Sequence, residues 1–434
     1  MPEETDTCPT PSGSGTEITA FVKTDTTWTA EGSPYLLDFD LGVDAGATLT
    51  LEPCTVVKLP KGRNVNVSGL LVAKGESGRR VRIEPLVEGE PWGMITSSNQ
   101  DTLSLDLAYT TVRGGGTAAD PRTAMLSVRG APNDVPNAEL IRVQHVRLED
   151  SASAGALVYE GAAFTSDSTD LTITGSGFHP LTMDSHGLSS LPTGSYTGNA
   201  LDVIDLSTWK ASLAGKPGET LAVTMHERGV PYRIGSDQEG AVELAVGSSI
   251  DSALTTLTIE PGVTVRVREK GVLRIRGPKD DQPASGSLVA KGTEAAPIVF
   301  TSDAKSPAAG DWIGIWLEAG VPTGMAIENA RVEYAGAEWT VRGFSCGTPV
   351  ASDQDLISNR GAIVVKSGLD VTASFVRSTA IVASASNGID RAWSGSATDF
   401  TTSNTFENVA FCTQTENKSP EGTCPTEPSC PRAP

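Results

Sequence analysis

No stretch of the chain approaches the roughly 20 consecutive apolar residues that a membrane helix needs, so no helical span is expected. Positive charge is also scarce. Lys and Arg total 33 against 53 Asp and Glu, a net charge of −20. That balance excludes a general binder of nucleic acid or anionic membranes, since those partners reward clustered cations. Histidine is sparse, and His145, His179, His186 and His226 stand without the spacing of a metal site. Neither a coiled coil nor a long amphipathic helix is patterned anywhere. Charged residues make up only 20% and hydrophobic residues 38%, which excludes wholesale disorder. In their place are Gly 45 and Pro 27, concentrated between short apolar runs, the signature of an all-β chain of many short strands and turns.

The segment Met1 to Gly15 is acidic and polar where a secretory signal is basic and then apolar, so the chain reads either as cytoplasmic or as a mature form whose signal has been removed. The six cysteines favour the second reading. Cys412, Cys424 and Cys430 crowd into a Pro-, Thr- and Glu-rich tail with no His or fourth Cys at zinc spacing, which points to an oxidising, extracytoplasmic compartment.

The chain repeats itself. Gly32-Ser-Pro-Tyr35 returns as Gly229-Val-Pro-Tyr232, Thr48-Leu-Thr-Leu-Glu-Pro53 as Thr256-Leu-Thr-Ile-Glu-Pro261, and Leu71-Val-Ala-Lys-Gly75 as Leu288-Val-Ala-Lys-Gly292. The offset grows from 197 to 208 to 217 residues and reaches 220 for Trp92 and Trp312, so loops have lengthened while the framework kept its order. Within each half, runs such as Leu49-Thr-Leu51, Val65-Asn-Val67, Val81-Arg-Ile83, Leu257-Thr-Ile259 and Leu273-Arg-Ile275 alternate apolar with polar. Period-2 alternation places one face of each run in a core and the other in water. Equivalent strands recur after 22 to 24 residues, the step of a solenoid with three strands to a coil. A string of sandwiches would show longer strands and repeated Asn-Gly hairpin turns, whereas Asn-Gly occurs once, at Asn387-Gly388. The expected fold is all-β: a right-handed parallel β-helix of two tandem, sequence-similar halves.

Thr256-Leu-Thr-Ile-Glu-Pro-Gly-Val-Thr-Val265, followed by Leu288-Val-Ala-Lys-Gly-Thr293, Pro297-Ile-Val-Phe-Thr-Ser302 and Gly310-Asp-Trp312, resembles the bacterial right-handed parallel β-helix repeat proteins of secreted and surface-lipoprotein type. The resemblance is closest over 205–335 and looser over 27–200, where Cys54 stands in place of the family's turn glycine. It implies the fold and export to a bacterial surface or medium, and little chemistry. The domain reading is a disordered segment 1–20, a first β-helix half 21–200, a connecting segment 201–228, a second half 229–412 and a disordered Cys- and Pro-rich tail 413–434. Residues 345–358 are expected to form a loop off the solenoid.

Parallel β-helices also carry pectin-type lyases and polygalacturonases. A lyase needs a basic residue beside a calcium-binding acidic cluster, and a hydrolase needs paired carboxylates. The acidic runs at Asp38, Asp40 and Asp44, at Asp280-Asp281, and at Asp353 and Asp355 do not recur at solenoid spacing beside Arg or His, and polygalacturonase signatures are missing. Asp184-Ser185-His186 spells a triad in a row, but neighbours in sequence do not converge on one atom. Gly114-Gly-Gly116 lacks the helix and Lys of a phosphate loop and reads as a turn. No catalytic residue and no metal site is assigned, with calcium the one cofactor left open.

Two features carry expectations. The cysteines are read as structural, with Cys346 near Cys412 and Cys424 bridged to Cys430, although six cysteines allow 15 pairings. The aromatics suggest a ligand. In Trp312-Ile-Gly-Ile-Trp-Leu317, Ile313, Ile315 and Leu317 share one face, so an inward aliphatic face would send Trp312 and Trp316 outward about 7 Å apart, a spacing suited to sugar rings. The plainer reading of a Trp kept in both halves, as at Trp92 and Trp312, is a wedge at a coil corner or packing under a loop. Trp316, Trp339 and Trp393 have no counterpart in the first half. The expected function is an exported, non-catalytic binding or structural module at a cell surface, with a glycan or cell-surface polymer held near Trp312, Trp316 and Trp339. The alternatives are a polysaccharide lyase or hydrolase on the same fold and a structural spacer.

Overall fold

The computed structural model describes residues 5, 7–11, 13–97, 102–117, 122–131, 138–207, 213–235, 242–278, 282–339, 360–367, 371, 374–393, 398–416 and 430. Strands dominate, and the helical content among these residues is two short 3₁₀ turns, Ala30–Gly32 and Ser185–Ser190. No helix among them is long and apolar enough to cross a membrane. The chain divides into two compact units, residues 1–209 with 228–230, and residues 210–227 with 231–434.

Each unit winds as a right-handed parallel β-helix. In the first, Thr26–Trp28, Thr48–Leu51, Leu70–Lys74 and Leu105–Ala108 stack in parallel register, with Leu49 opposite Leu71 and Leu71 opposite Leu105. A second stack runs through Tyr35–Leu37, Val56–Leu59, Val81–Pro85 and Thr110–Arg113. A third runs through Leu41–Val43, Val65–Val67, Ile95–Ser97, Ala124–Arg129, Ala154–Tyr159 and Leu181–Asp184. The second unit repeats the plan. Its three stacks begin at Leu221–Met225, Tyr232–Ile234 and Glu243–Val246 and add a strand per coil. In-register stacking of identical faces explains the alternation in the sequence. Leu49, Leu51, Val65, Val67, Val81 and Ile83 in one unit, and Leu257, Ile259, Leu273 and Ile275 in the other, are at most 4% exposed.

The corners use single left-handed residues. Tyr109, His145 and Asp170 occupy the same corner of successive coils with φ of 41°, 55° and 51°, and Asn329 and Ser378 turn a corner of the second unit at 47° and 49°. Left-handed backbone costs an ordinary L-residue roughly 1–2 kcal/mol, so side-chain contacts must offset it. Tyr109 and His145 stack with ring centroids 4.4 Å apart, His145 Nδ1 lies 2.6 Å from Asp170 Oδ2, and Asn329 Nδ2 donates to the Gly292 carbonyl at 3.1 Å. Cys54 is a further case. Its φ is 68° and that of the matching Gly262 is 88°, so the turn survives the substitution.

The segments expected to lie outside the coils are partly built into them. Within 1–20, Thr16–Ile18 pairs with Tyr35–Leu37, and Cys8 is bonded to Cys54 across 46 residues. Within 201–228, Ile204–Ser207 pairs with Leu181–Asp184 and Leu221–Met225 pairs with Thr255–Ile259. Apolar alternation is short in both segments, yet each strand completes a ladder whose other members are strongly patterned. Of the tail, residues 413–416 and Cys430 are described, and the bridge between Ile389 and Gln414 adds the former to the last coil. The stretch 345–358 lies outside the described residues.

Candidate functional site

The most distinctive surface of either unit is the outward side of the stack Glu243–Val246, Val272–Ile275, Gly314–Leu317 and Gly361–Ser367. Register places Arg274 beside Trp316 and Trp316 beside Val364 on adjacent strands. Their neighbours in sequence, Leu273, Ile275, Ile315 and Leu317, point into the core. Arg274 is held from two sides: its guanidinium donates to Glu243 at 2.9 and 3.1 Å and to Glu318 at 2.9 and 2.6 Å, and Arg276 adds a 3.0 Å bond to Glu243. These side chains are 15–23% exposed, so the pairing is only partly screened by solvent.

That fixed guanidinium lies 4.8 Å from the centroid of the Trp339 ring, a cation–π contact. Trp316 meets Trp339 edge-on with centroids 4.4 Å apart. Val272, Ile313 and Val364 complete this small apolar cluster outside the main core. Trp339 also lines a depression of about 790 Å³, whose wall includes Glu243, Glu269, Lys270, Glu338 and Arg360. Arg360 donates to Glu338 at 2.6 Å, and the Lys270 amine lies 3.7 Å from Glu269.

The tryptophans do not sit as the strand alternation predicts. Trp312 is fully buried and donates its Nε1–H to the Glu333 carbonyl at 2.7 Å. Trp92 does the same to the Arg113 carbonyl at 2.8 Å, again 21 residues ahead. Arg113 and Glu333 immediately precede Gly114 and Tyr334, left-handed corner residues with φ of 68° and 62°. The retained indole therefore closes a corner in both units. Trp316 is outward of the sheet yet only 6% exposed, with an Nε1 that has no partner among the described residues. Ile313 sits in the outer cluster and not on the inner face, because Gly314, at φ 135°, interrupts the alternation one residue later. Of Trp312, Trp316 and Trp339, only Trp339 lines the depression, and it is itself 9% exposed. The side chain of Trp393 lies outside what the structure describes.

A family model described as a pectate-lyase-like β-helix domain matches residues 240–344. The chain is a parallel β-helix protein. No curated protein and no solved structure matches it. The matched stretch contains Glu243, Arg274, Trp312, Trp316 and Trp339, and Arg360 lies beyond it.

The disulfides differ from the sequence reading. Cys412 is bonded to Cys430, across 18 residues, so neither a Cys346–Cys412 nor a Cys424–Cys430 pair forms. Closure depends on where the chain passes and not on spacing, and Cys412, placed next to the last coil by the Asn387 side chain, faces the returning Cys430. Cys346 and Cys424 lie outside the described residues. The Cys8–Cys54 and Cys412–Cys430 bonds are those of a protein from an oxidising compartment.

Other chemistry-bearing residues have structural partners. The Asp184 carboxylate accepts the Gly161 N–H at 2.8 Å, Asp40 accepts that of Asn64 at 3.0 Å, and His179 Nε2 lies 2.6 Å from the Thr182 hydroxyl. His226 Nδ1 lies 2.9 Å from Glu260. Gly114 and Gly116 have φ of 68° and 87°, a turn. Among the described residues no group of three or more His, Cys, Asp or Glu is arranged to hold a metal ion. Asp280, Asp281, Asp353 and Asp355 lie outside the described residues. Sequence reasoning missed Arg274, Glu243 and Arg360. The available signal was weak: an outward Arg in Val272-Leu-Arg-Ile275 gains meaning only once register sets it beside Trp316.

Proposed function

We propose that the chain is an exported, non-catalytic binding module of a bacterial cell surface, and that it holds a glycan in the depression at Trp339. The observation that carries this reading is the indole of Trp339, fixed by the Arg274 guanidinium at 4.8 Å and by Trp316, on the wall of a depression of about 790 Å³. An aromatic ring held rigid at a polar-rimmed hollow binds a sugar's C–H face while the rim bonds its hydroxyls. Glu243 and Glu318 are paired with Arg274 and Glu338 with Arg360, while the remaining carboxylate oxygens of the rim are left to accept from a ligand's hydroxyls. The disulfides and the resemblance to surface β-helix repeat proteins support export.

A second reading, a polysaccharide lyase or hydrolase, is favoured by the match to the pectate-lyase-like domain. One experiment separates them: a glycan array probed with the wild type and with Trp339→Ala, with the eluted glycans analysed. Loss of one stacking contact, roughly 1 kcal/mol, should weaken wild-type binding about five-fold. Identical profiles, or no binding by either, would leave a structural spacer as the reading. Unsaturated sugars or new reducing ends would establish the enzyme.

A further inference from the structure

We infer that the Trp339 depression takes the end of a neutral saccharide, one or two rings, and not the body of a polymer laid along the coils; this rests on the glycan reading above. A polymer ribbon needs an open strip continuing from coil to coil, with a stacking platform at intervals. Among the described residues this outer face offers no such strip. On the preceding coil the Glu243, Arg274 and Arg276 ion network fills it, and on the following one Val364 is buried. Trp312 is enclosed and Trp316 is buried with its Nε1, and among the described residues the one indole lining the hollow is Trp339, itself only 9% exposed. That indole is itself partly covered. The guanidinium of Arg274 covers one side of the Trp339 ring and Trp316 abuts it at 85°.

Size and charge point the same way. The volume of about 790 Å³ falls in the range of small-ligand pockets. In a chain of net charge −20, the charged groups lining this hollow come to −1: Glu243, Glu269 and Glu338 stand against Lys270 and Arg360. A uronate would bring its carboxylate against three others, whereas hydroxyl groups can both donate to the acids and accept from the bases. The Glu338–Arg360 pair at 2.6 Å presents an acceptor and a donor side by side, the complement of two adjacent hydroxyls.

The test titrates the full chain with gluco- and manno-oligosaccharides of one to six rings and with the corresponding oligouronates, followed by calorimetry and intrinsic fluorescence. Affinity should level off at two rings, the uronates should bind at least ten-fold more weakly, and Trp339→Ala should remove the fluorescence change. Affinity that keeps rising to six rings, or a preference for the uronates, would overturn the inference while leaving a glycan-binding site. Absence of binding by every sugar would overturn the glycan reading itself, and the inference with it.

Discussion

The corresponding outer faces of the two units share a backbone and almost nothing else. Asn66, Thr96 and Ser127 stand beside one another on adjacent strands of the first unit, where the second has Arg274, Trp316 and Val364. Beneath these rows the cores match, and so do the corners. Trp92 and Trp312 bond equivalent carbonyls, and Ser151 and Ser384 close the next turn with 2.7 Å bonds to the carbonyls of Ala154 and Asn387. Inward positions and corners answer to the packing of the solenoid, while outward positions answer to whatever approaches from outside. Short polar side chains left one face plain; large ones made the other a site.

If the cores are equivalent, a charge at matched inward positions should be equally damaging. Leu51→Asp and Ile259→Asp each bury an unpaired carboxylate in a residue 1–2% exposed, and each should cost more than about 4 kcal/mol. Calorimetry or limited proteolysis should show loss of the substituted unit. Wild-type melting of either variant would break the inward assignment for that unit.

The corner indoles give the next test. Trp92→Phe and Trp312→Phe each remove a donor from a half-buried carbonyl, a loss of about 1 kcal/mol with some cavity cost added. Denaturant midpoints should fall by similar amounts. A variant that melts like the wild type would show that its indole is not a corner closure.

A smaller difference is expected where the units depart from one another. In the first, Cys54 takes a left-handed turn and is tied to Cys8; in the second, Gly262 takes the same turn untied. Cys8→Ser with Cys54→Gly should lose about 3 kcal/mol of cross-link stabilisation and regain about 1 from the relaxed turn. Gly262→Ala should cost about 1 kcal/mol. A double variant that melts at or above the wild-type temperature would mean that the Cys8 bond does not stabilise the first unit.

The smallest effect concerns acid. The Thr165 hydroxyl, then Arg142, holds the Asp167 carboxyl below its ordinary value; for Asp399 the Thr401 hydroxyl and N–H do so, with the Gln414 amide. Both pKa values are lowered on folding. Their stabilisation is therefore complete above the ordinary carboxylate value near 3.9 and is lost as pH falls below it through the lowered one. Both carboxyls are largely solvated, so the effect is small. Added salt should weaken the contribution of Asp167, which leans on an ion pair, more than that of Asp399. Melting curves of Asp167→Asn and Asp399→Asn between pH 5 and 2, with and without salt, would show it; equal salt responses would contradict the assignment.

Much of this was legible in advance, for identifiable reasons. Alternation at Leu49-Thr-Leu51 and Leu273-Arg-Ile275 reports burial directly, because a strand's period of two is local. The same rule misplaced Ile313 and turned Trp312 toward solvent, because Gly314 resets the period at a corner the sequence does not announce. The indole of Trp339 carries no periodic signal, and its importance rests on an Arg 65 positions earlier that a solenoid brings over its ring.

The sequence alone determined the repeat, the strand faces and the fold class, because these follow from short-range patterning and from copies of one pattern kept in order. It also determined that the chain is acidic and carries six cysteines. Tertiary structure alone decided that Cys412 meets Cys430 and that Arg274 braces Trp339 between two glutamates. Each of these depends on which residues of different coils are stacked together, and stacking is set by register and loop length, which no window of a few residues contains.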